Sequence, residues 1–490
     1  MTILVIDLGS SSVRGLLFDS QARAVAGAQV SIRHQFDLLP PGASTIDAEM
    51  LRTNVETCID QLLQHPRTGE IRAVGMDTFA GNILGIDQNN TALTPVYTYG
   101  DTRSADDVAL LKAIVDPPLL HQRTGTFLHT AYLPGRLHWL RRTENSLFQQ
   151  VHQWVDFGSY LYRQWFGGDV PTSLSVASWN GLLNRSSTAW DQPLLESLGL
   201  SSAVLPPVAD YTAAQRGLNP TYAQRWPALR NVPFFLAVGD GAAANIGSGC
   251  VDERALALSM GTTAALRLAV RQGVEVPVVP AGLWSYRISA QQHLLGGATS
   301  EGGNIYQWAR RTFQVEQLGA LDDVLLSRQA DGHGLTMLPL LAGERSPGWR
   351  ADAVGAVVGL RLSTTPLDLL QAAMESVALR LALVAGQLQP LSAVNVGVVA
   401  SGGALTRSQA WIQMIADALN RPIAPAVEPE ITARGTALLA LQVLDGLDPA
   451  LHPPQLETAV QPRPEAVTRM QAALQRQIAL YNTLYPGDTV

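Results

Sequence analysis

Lysine is almost absent from this 490-residue chain: Lys112, in the stretch VALLKAIVDP, is the only one. A phosphate loop of the Gly-Lys-Ser/Thr type needs a lysine, and a protein-kinase strand needs its own. Lys112 suits neither, so any nucleotide phosphates handled here must meet backbone amides, hydroxyls, arginine and metal. Cysteine is scarce too. Cys58 and Cys250 lie far apart, show no metal-ligand spacing and fit a reducing compartment. Charged residues make up 15% of the chain and sum to −7. That balance argues against a nucleic-acid partner, which needs a basic face. Neither a basic leader nor a cleavage site precedes the apolar run at Ile3, so a signal peptide is not expected. The apolar stretch from Leu369 to Leu388 is interrupted by Glu375 and Arg380, and reads as a buried helix rather than a membrane span. The expectation is a cytoplasmic protein without a membrane partner.

The chain does have a globular composition, 47% hydrophobic, and length for roughly two to four domains. ILVIDLGSSSVRGLLFD reads as a hairpin: a strand ending near Asp7, a Gly/Ser tip, and a strand from about Val13 to Asp19. IRAVGMDTF and ILGIDQNN read as further strands. SADDVALLKAIVD, LPGRLHWLRRT and GSYLYRQWF read as helices, and STAWDQPLLESLGL as a short helix with Asp191 near its start. VPFFLAVGDGAAANIGSG reads as a buried strand entering a helix. ALALSMGTTAALRLAV then repeats the opening design, a strand, a Gly/Thr tip, a strand and an arginine. This weak repeat suggests two domains of similar core facing each other. TTPLDLLQAAMESVALRLALVAGQL reads as a long helix capped by Thr365 with Pro366 in its first turn. A Pro-rich segment and a last helix follow, with Val467, Met470, Leu474, Ile478 and Tyr481 on one face. The expected boundaries are residues 1–248, residues 249–445, and a tail of residues 446–490 packed on the second domain.

Three glycine-rich junctions stand out, at Gly9, Gly261 and Gly402. Glycine lets backbone N–H groups approach an anion, and neighbouring hydroxyls (Ser10, Ser11, Ser12; Thr262, Thr263) add donors. Two aspartates stand at strand ends, Asp7 and Asp240. Asp240 reads either as a helix cap or as a base that accepts a proton from a substrate hydroxyl. Asp7 suits a Mg²⁺ site. Phosphoryl transfer asks the protein mainly for positioning and charge neutralisation, so a base, a metal carboxylate and a donor-rich cradle suffice.

DLGSSSVRGLLFD, GDTRSADD, RTGTFLHTAYLPGRLHWL, VGDGAAANIGSG, SMGTTAALRL, EGGNIYQWAR, LPLLAGERSPGWRADAVGAVVGL and SGGALTRSQAWIQMIADAL, in this order, resemble the FGGY carbohydrate kinases from about Ile3 to Leu444. The resemblance implies an α/β fold: two ribonuclease H-like domains of the actin-like ATPase superfamily, facing across a cleft that takes ATP and Mg²⁺ and closes around a sugar. It implies that Asp7 and Asp240 are the metal-side carboxylates and Asp240 the base, and that Gly261, Thr262 and Thr263 form the second phosphate motif. Gly303 and Gln307 would lie beside the adenosine, and Gly402, Gly403 and Ala404 would form the adenosine motif. Arg14 would support its turn.

RTGTFLH and LAGERSPGWR look most like gluconate kinases, so gluconate is the first expected acceptor, with xylulose, ribulose or rhamnulose as alternatives. An acid sugar would be met by arginine. Arg103 and Arg345 are the candidates, Arg345 reading better as half of a structural ion pair. The resemblance also shows departures. The Met-His of gluconate and xylulose kinases is absent from MDTFAGNILGID, which is closer to the DTWGVD pattern of rhamnulose kinases, and Tyr99 stands where tryptophan is usual. Gly81 and Asn82 are therefore the expected sugar-side residues, a strand-end turn being the other reading of Asn82. His129 reads as a core or surface histidine. A catalytically inactive sugar-binding regulator and an actin-like or chaperone-like ATPase are the rival functions. A homodimer is kept as one candidate assembly.

Overall fold

Every residue of Thr2–Leu8 (β1) is buried, which accounts for its unbroken apolar character: both faces of the strand are covered. Leu4, Ile6 and Leu8 face one core, which they share with α1 (Ala48–Leu62), and Ile3 and Val5 face another. The computed structural model describes residues 1–271, 278–315, 321–394 and 396–486. In it β1 pairs antiparallel with β2 (Ser12–Asp19), β2 antiparallel with β3 (Ala24–Arg33), and β1 parallel with β4 (Ile71–Thr78). The long strand expected through VPFFLAVGDG is two short ones, β5 (Phe234–Phe235) and β6 (Val238–Gly239), each parallel to β4.

The second half repeats this plan. β7 (Ala255–Met260) and β8 (Ala264–Arg271) form the hairpin, β9 (Trp284–Ser289) and β10 (Gln292–Thr299) extend it, and β11 (Gly397–Ser401) and β12 (Ile423–Pro425) add on the other side. The sheet order is β9-β10-β8-β7-β11-β12. Apart from the edge strand β9, order and strand directions match β3-β2-β1-β4-β5. The repeat seen faintly in the sequence is thus a duplicated sheet.

Two helices join the halves. α2 (Asp240–Gly247) leaves β6, and α5 (Ile431–Asp445) packs against it and on β1 and β4, although α5 follows the second sheet in the chain. Their backbones nearly touch. A Cβ on Gly247 would lie 1.8 Å from the Ile431 carbonyl oxygen, and one on Gly435 1.8 Å from that of Ala243. α3 (Gly303–Thr312) starts beside the tip of the second hairpin.

α4 (Pro366–Leu388) is the expected buried helix, opened by a capping box. Asp368 N–H donates to Thr365 Oγ1 at 3.2 Å, and Thr365 N–H donates to Asp368 Oδ2 at 2.8 Å. Pro366–Leu391 is long and apolar enough to span a membrane, but it is mostly buried inside the fold. Its charges have internal partners: Glu375 accepts from Gln371 Nε2 at 2.7 Å, and Arg380 pairs with Glu344. The last helix, α6 (Pro464–Leu484), packs on α4 and on the second half. Its buried face includes Val467, Met470 and Tyr481, together with Ala473 and Gln477. Gln477 donates to the Met337 carbonyl at 2.9 Å, while Leu474 and Ile478 stay half-buried.

Candidate active site

The first hairpin places Asp7 opposite Arg14 and, through the parallel pairing, beside Asp77. Arg14 Nη2 donates to Asp7 Oδ2 at 2.5 Å, and Nη1 reaches across to Glu430 Oε2, just before α5, at 2.5 Å. Thr436 Oγ1 donates to Asp77 Oδ2 at 2.7 Å, while Asp77 Oδ1 has no donor among the described residues. Burial pushes Asp7 up to about 6 against the pull of Arg14. Burial, then the Asp7 charge, raises Asp77 well above the usual carboxylate range. Two buried carboxyls facing one guanidinium make an oxygen-donor site that a hard divalent cation fits.

Sequence reasoning missed Asp77. Its one trace in the sequence is that MDTF ends its strand as VIDL ends the first. At the tip between β1 and β2, Gly9 N–H donates to the Ser12 carbonyl at 3.0 Å, Ser10 and Ser11 are exposed, and Ser12 is half-buried.

Asp240 is the first residue of α2, with Gly239 in the capping position. Its Oδ1 accepts from Gly241 N–H at 2.7 Å. Burial raises its pKa, and Arg267 pulls the other way. Arg267 is half-buried and donates from Nη1 to Ser259 Oγ at 2.7 Å. Gly241 is required here, since a Cβ would lie 3.1 Å from Arg267 Nε and 2.5 Å from the Trp179 ring.

The other glycine junctions converge on the second hairpin. Gly303 N–H donates to the Gly261 carbonyl at 2.7 Å, and Ala404 N–H to that of Met260 at 3.2 Å. Gly402 takes φ +99°, and a Cβ there would lie 2.4 Å from the Met260 oxygen, so only glycine suits the turn. Gly261, Thr262 and Thr263 stand exposed at the tip, Gly403 lies beside Arg407, and Gln307 is exposed on α3.

Two cavities meet at Asp240. One, of about 480 Å³, is lined by Arg14, Ser259, Gly402, Gly403, Glu430 and others. The second, of about 150 Å³, is lined by Gly81, Tyr99, Trp179, Tyr286, Arg345 and others. Asp240 and Arg267 line both. The structure therefore brings Gly81 to the smaller cavity, with φ +66°.

It does not bring Asn82 or Arg103 there. The Asn82 amide donates to Thr78 Oγ1 at 3.1 Å and accepts from Phe157 N–H at 2.7 Å, which is the strand-end role. Arg103 pairs with Asp101 at 2.5 Å and lies over the Trp139 ring. Arg345, read from the sequence as half of an ion pair, lines the cavity and has no carboxylate in ion-pair range among the described residues. His129 accepts from Ala131 N–H at 3.1 Å. Burial, then Arg345, pulls it down to about 4, so it is a neutral core histidine.

A second residue missed by the sequence is Arg136. Fully buried, it gathers the carbonyls of Gly81, Thr130 and Asp101 at 3.1, 3.0 and 3.3 Å and so holds three loops of the cavity wall in register.

Both halves of the chain match known family models. The N-terminal domain of the FGGY family of carbohydrate kinases matches residues 2–247, and its C-terminal domain matches residues 256–443. The gluconokinase of Bacillus subtilis (strain 168) is 23% identical over 462 residues, covering 91% of this chain and 88% of its own. The xylulose kinase of Escherichia coli (strain K12) is 28% identical over 427 residues, 84% of each chain. Among solved structures, a ligand-bound xylulose kinase from Lactobacillus acidophilus superposes with a TM-score of 0.91 at 25% identity, covering 99% of both chains. A gluconate kinase from the same organism superposes with 0.90 at 25% identity, covering 100% of this chain and 99% of that one.

Proposed function

The chain belongs to the FGGY family of carbohydrate kinases and is an ATP-dependent sugar kinase, and from that premise we propose how its residues divide the work. The larger cavity takes the nucleotide and the smaller one the acceptor. The observation that carries this assignment is that Asp240 lines both cavities. Only a residue shared by the two can meet an acceptor hydroxyl at the terminal phosphate.

Asp240 accepts the hydroxyl proton as the oxygen attacks. Its Gly241 hydrogen bond fixes Oδ1, which leaves Oδ2 for the substrate. Gly261, Thr262 and Thr263, with Gly9 and the serines after it, offer donors to phosphate from the two facing tips. Gly402, Gly403 and Ala404 with α3 form the adenosine side. Mg²⁺ would be held by Asp7 with Asp77 beside it, and would supply charge neutralisation for the phosphates. Arg14, already bound to Asp7, orients that carboxylate. Closure of the two halves about α2 and α5 excludes water, so that the phosphoryl group goes to the sugar. The cytoplasm supplies both ATP and the reduced state of Cys58 and Cys250.

The acceptor we favour is gluconate, on the likeness to gluconate kinases. A ketose such as xylulose is the second reading, favoured by the xylulose kinase likeness. Coupled ADP release over gluconate, xylulose, ribulose, rhamnulose and glycerol tests both. Turnover with one of these supports the assignment. ATP hydrolysis that ignores every acceptor would instead favour an ATPase with a protein partner.

A further inference from the structure

The acceptor cavity has a surplus of positive charge. Its lining holds two guanidiniums, Arg267 and Arg345, against one carboxylate, Asp240. Three N–H donors on its wall are buried without an acceptor among the described residues: Trp179 Nε1, Arg267 Nε and Arg345 Nε. Buried polar groups in native proteins are nearly always paired. Here the unpaired atoms are donors, so the missing partner is rich in acceptors. Two hydroxyls of the wall, those of Tyr132 and Tyr286, bond each other at 2.6 Å. His129 adds no charge, being neutral near pH 7.

Arg345 is also held in place. The loop that carries it is tied at Ala342, whose N–H donates to Glu301 Oε1 at 2.9 Å. At Glu344 it is tied by Tyr481 Oη, which donates to Oε2 at 2.6 Å, and by Arg380. Ser346 N–H donates to the Ala298 carbonyl at 2.9 Å. Trp349 Nε1 donates to the Gly282 carbonyl at 3.0 Å, and its ring stacks on Phe127 at 4.1 Å. A guanidinium without a counter-ion, on a backbone fixed from both sides, is arranged for a planar anion that arrives with the ligand.

Resting on the sugar-kinase reading, we infer that the acceptor pocket reads a carboxylate: Arg345 holds the acid end of a sugar acid whose far hydroxyl faces Asp240, and Arg267, beside Asp240, adds positive charge to the pocket. A neutral ketose or polyol would leave Arg345 without a counter-charge inside a closed site, since Asp240 answers only Arg267. The arginine chosen from the sequence for an acid sugar, Arg103, has no part in this, because Asp101 already neutralises it.

The test compares matched acceptors on the intact enzyme: D-gluconate, its amide, D-glucitol and D-xylulose, with kcat and KM from coupled ADP release. The parent is expected to prefer gluconate over gluconamide by roughly 10- to 100-fold in kcat/KM, the range of a charge-assisted hydrogen bond. Arg345→Met should erase most of that ratio through KM for the acid, and Arg267→Met, which also removes the charge beside Asp240, should lower the same ratio while changing kcat for every acceptor. Circular dichroism checks that both variants fold, and the parent's acid-to-amide ratio decides the point even where a variant does not. Equal use of acid and amide by the parent, or a ratio that survives in both variants, overturns the inference. ADP release with neutral acceptors alone overturns it but leaves the kinase assignment standing. No ADP release with any acceptor overturns both.

Discussion

Replacing Asp240 by asparagine separates a catalytic from a structural role, because the two predict opposite changes in stability. Asparagine keeps an oxygen for the Gly241 N–H and changes neither length nor shape. What disappears is the proton acceptor. A positioned general base contributes roughly 10²- to 10⁴-fold to rate, which is about 3–5 kcal/mol of barrier at 1.36 kcal/mol per decade. kcat should fall by that factor while KM for ATP and acceptor moves only a few-fold. The stability prediction follows from the pKa. Burial raises Asp240 above its ordinary value, and Arg267 offsets only part of that. A carboxyl whose folded pKa is raised makes the folded state less stable as pH rises past its unfolded value. At neutral pH the neutral asparagine therefore leaves the melting temperature unchanged or higher. The acid limb of the parent's kcat/KM profile should also vanish in the variant. Turnover within ten-fold of the parent would refute the base assignment. A loss of turnover with a fall of several degrees in melting temperature would mean that Asp240 holds the fold rather than the proton.

Other substitutions probe the frame around it. Gly435→Ala pushes a Cβ against the Ala243 carbonyl where α2 and α5 cross; overpacking of this kind costs about 1–3 kcal/mol, which calorimetry should read as a drop of several degrees. Glu301 is buried and pushed up to about 7, so its ionisation costs the folded state up to about 3 kcal/mol as pH rises from the ordinary carboxylate value through 7. Glu301→Gln should accordingly melt later than the parent at pH 8 and not at pH 4, and the idea fails if the difference is independent of pH. Arg14→Met strands Asp7 without its cation, at a cost of roughly 2–3 kcal/mol, less than for a fully buried ion because 29% of the Arg14 side chain is exposed. Mg²⁺ should then stabilise this variant more than the parent in a thermal-shift titration, and an equal Mg²⁺ response in both would argue against a cation at Asp7.

What the sequence shows of this fold follows from which constraints are local. Glycines at hairpin tips and helix entries are dictated by backbone geometry, so Gly9, Gly261 and Gly402 stand out in the chain, and with them the duplication. Thr365 announces a helix because a cap is read within four residues. The course of α5 could not be read this way. Its sequence is that of any buried helix, and the small residues that let it cross α2, Gly247 and Gly435, are far apart in the chain. Asp77 was hidden by a different cause. In the sequence it is one aspartate at a strand end, and only the parallel pairing of β1 with β4 sets it against Asp7. The surroundings of the two arginines were legible to different degrees. Arg103 has Asp101 two residues away, whereas Arg345 is held by a loop whose carboxylate, Glu344, is turned towards Arg380 and Tyr481.

The two sheets, alike in topology, differ in the chemistry at equivalent positions. In the first, β1 and β4 pair Asp7 with Asp77 at their carboxyl ends, and β6 next to them leads into Asp240. In the second, the same parallel register pairs Ser259 of β7 with Ser401 of β11. Each serine stands where the other half has a carboxylate, Ser259 two residues before Gly261 as Asp7 stands two before Gly9. Ligands gather at the carboxyl ends of parallel strands, so both ends face the cleft. Carboxylates there attract a cation and a proton but repel phosphate. Hydroxyls donate to phosphate oxygens and carry no charge. A site with carboxylates on both sides would hold a metal and reject the nucleotide, and one with hydroxyls on both sides would bind the nucleotide with no base to start the transfer. Ser259, Ser401 and Asp240 line the cavity we assign to the nucleotide, and on that assignment one duplicated scaffold presents opposite electrostatics to the two ends of the bond being broken and made.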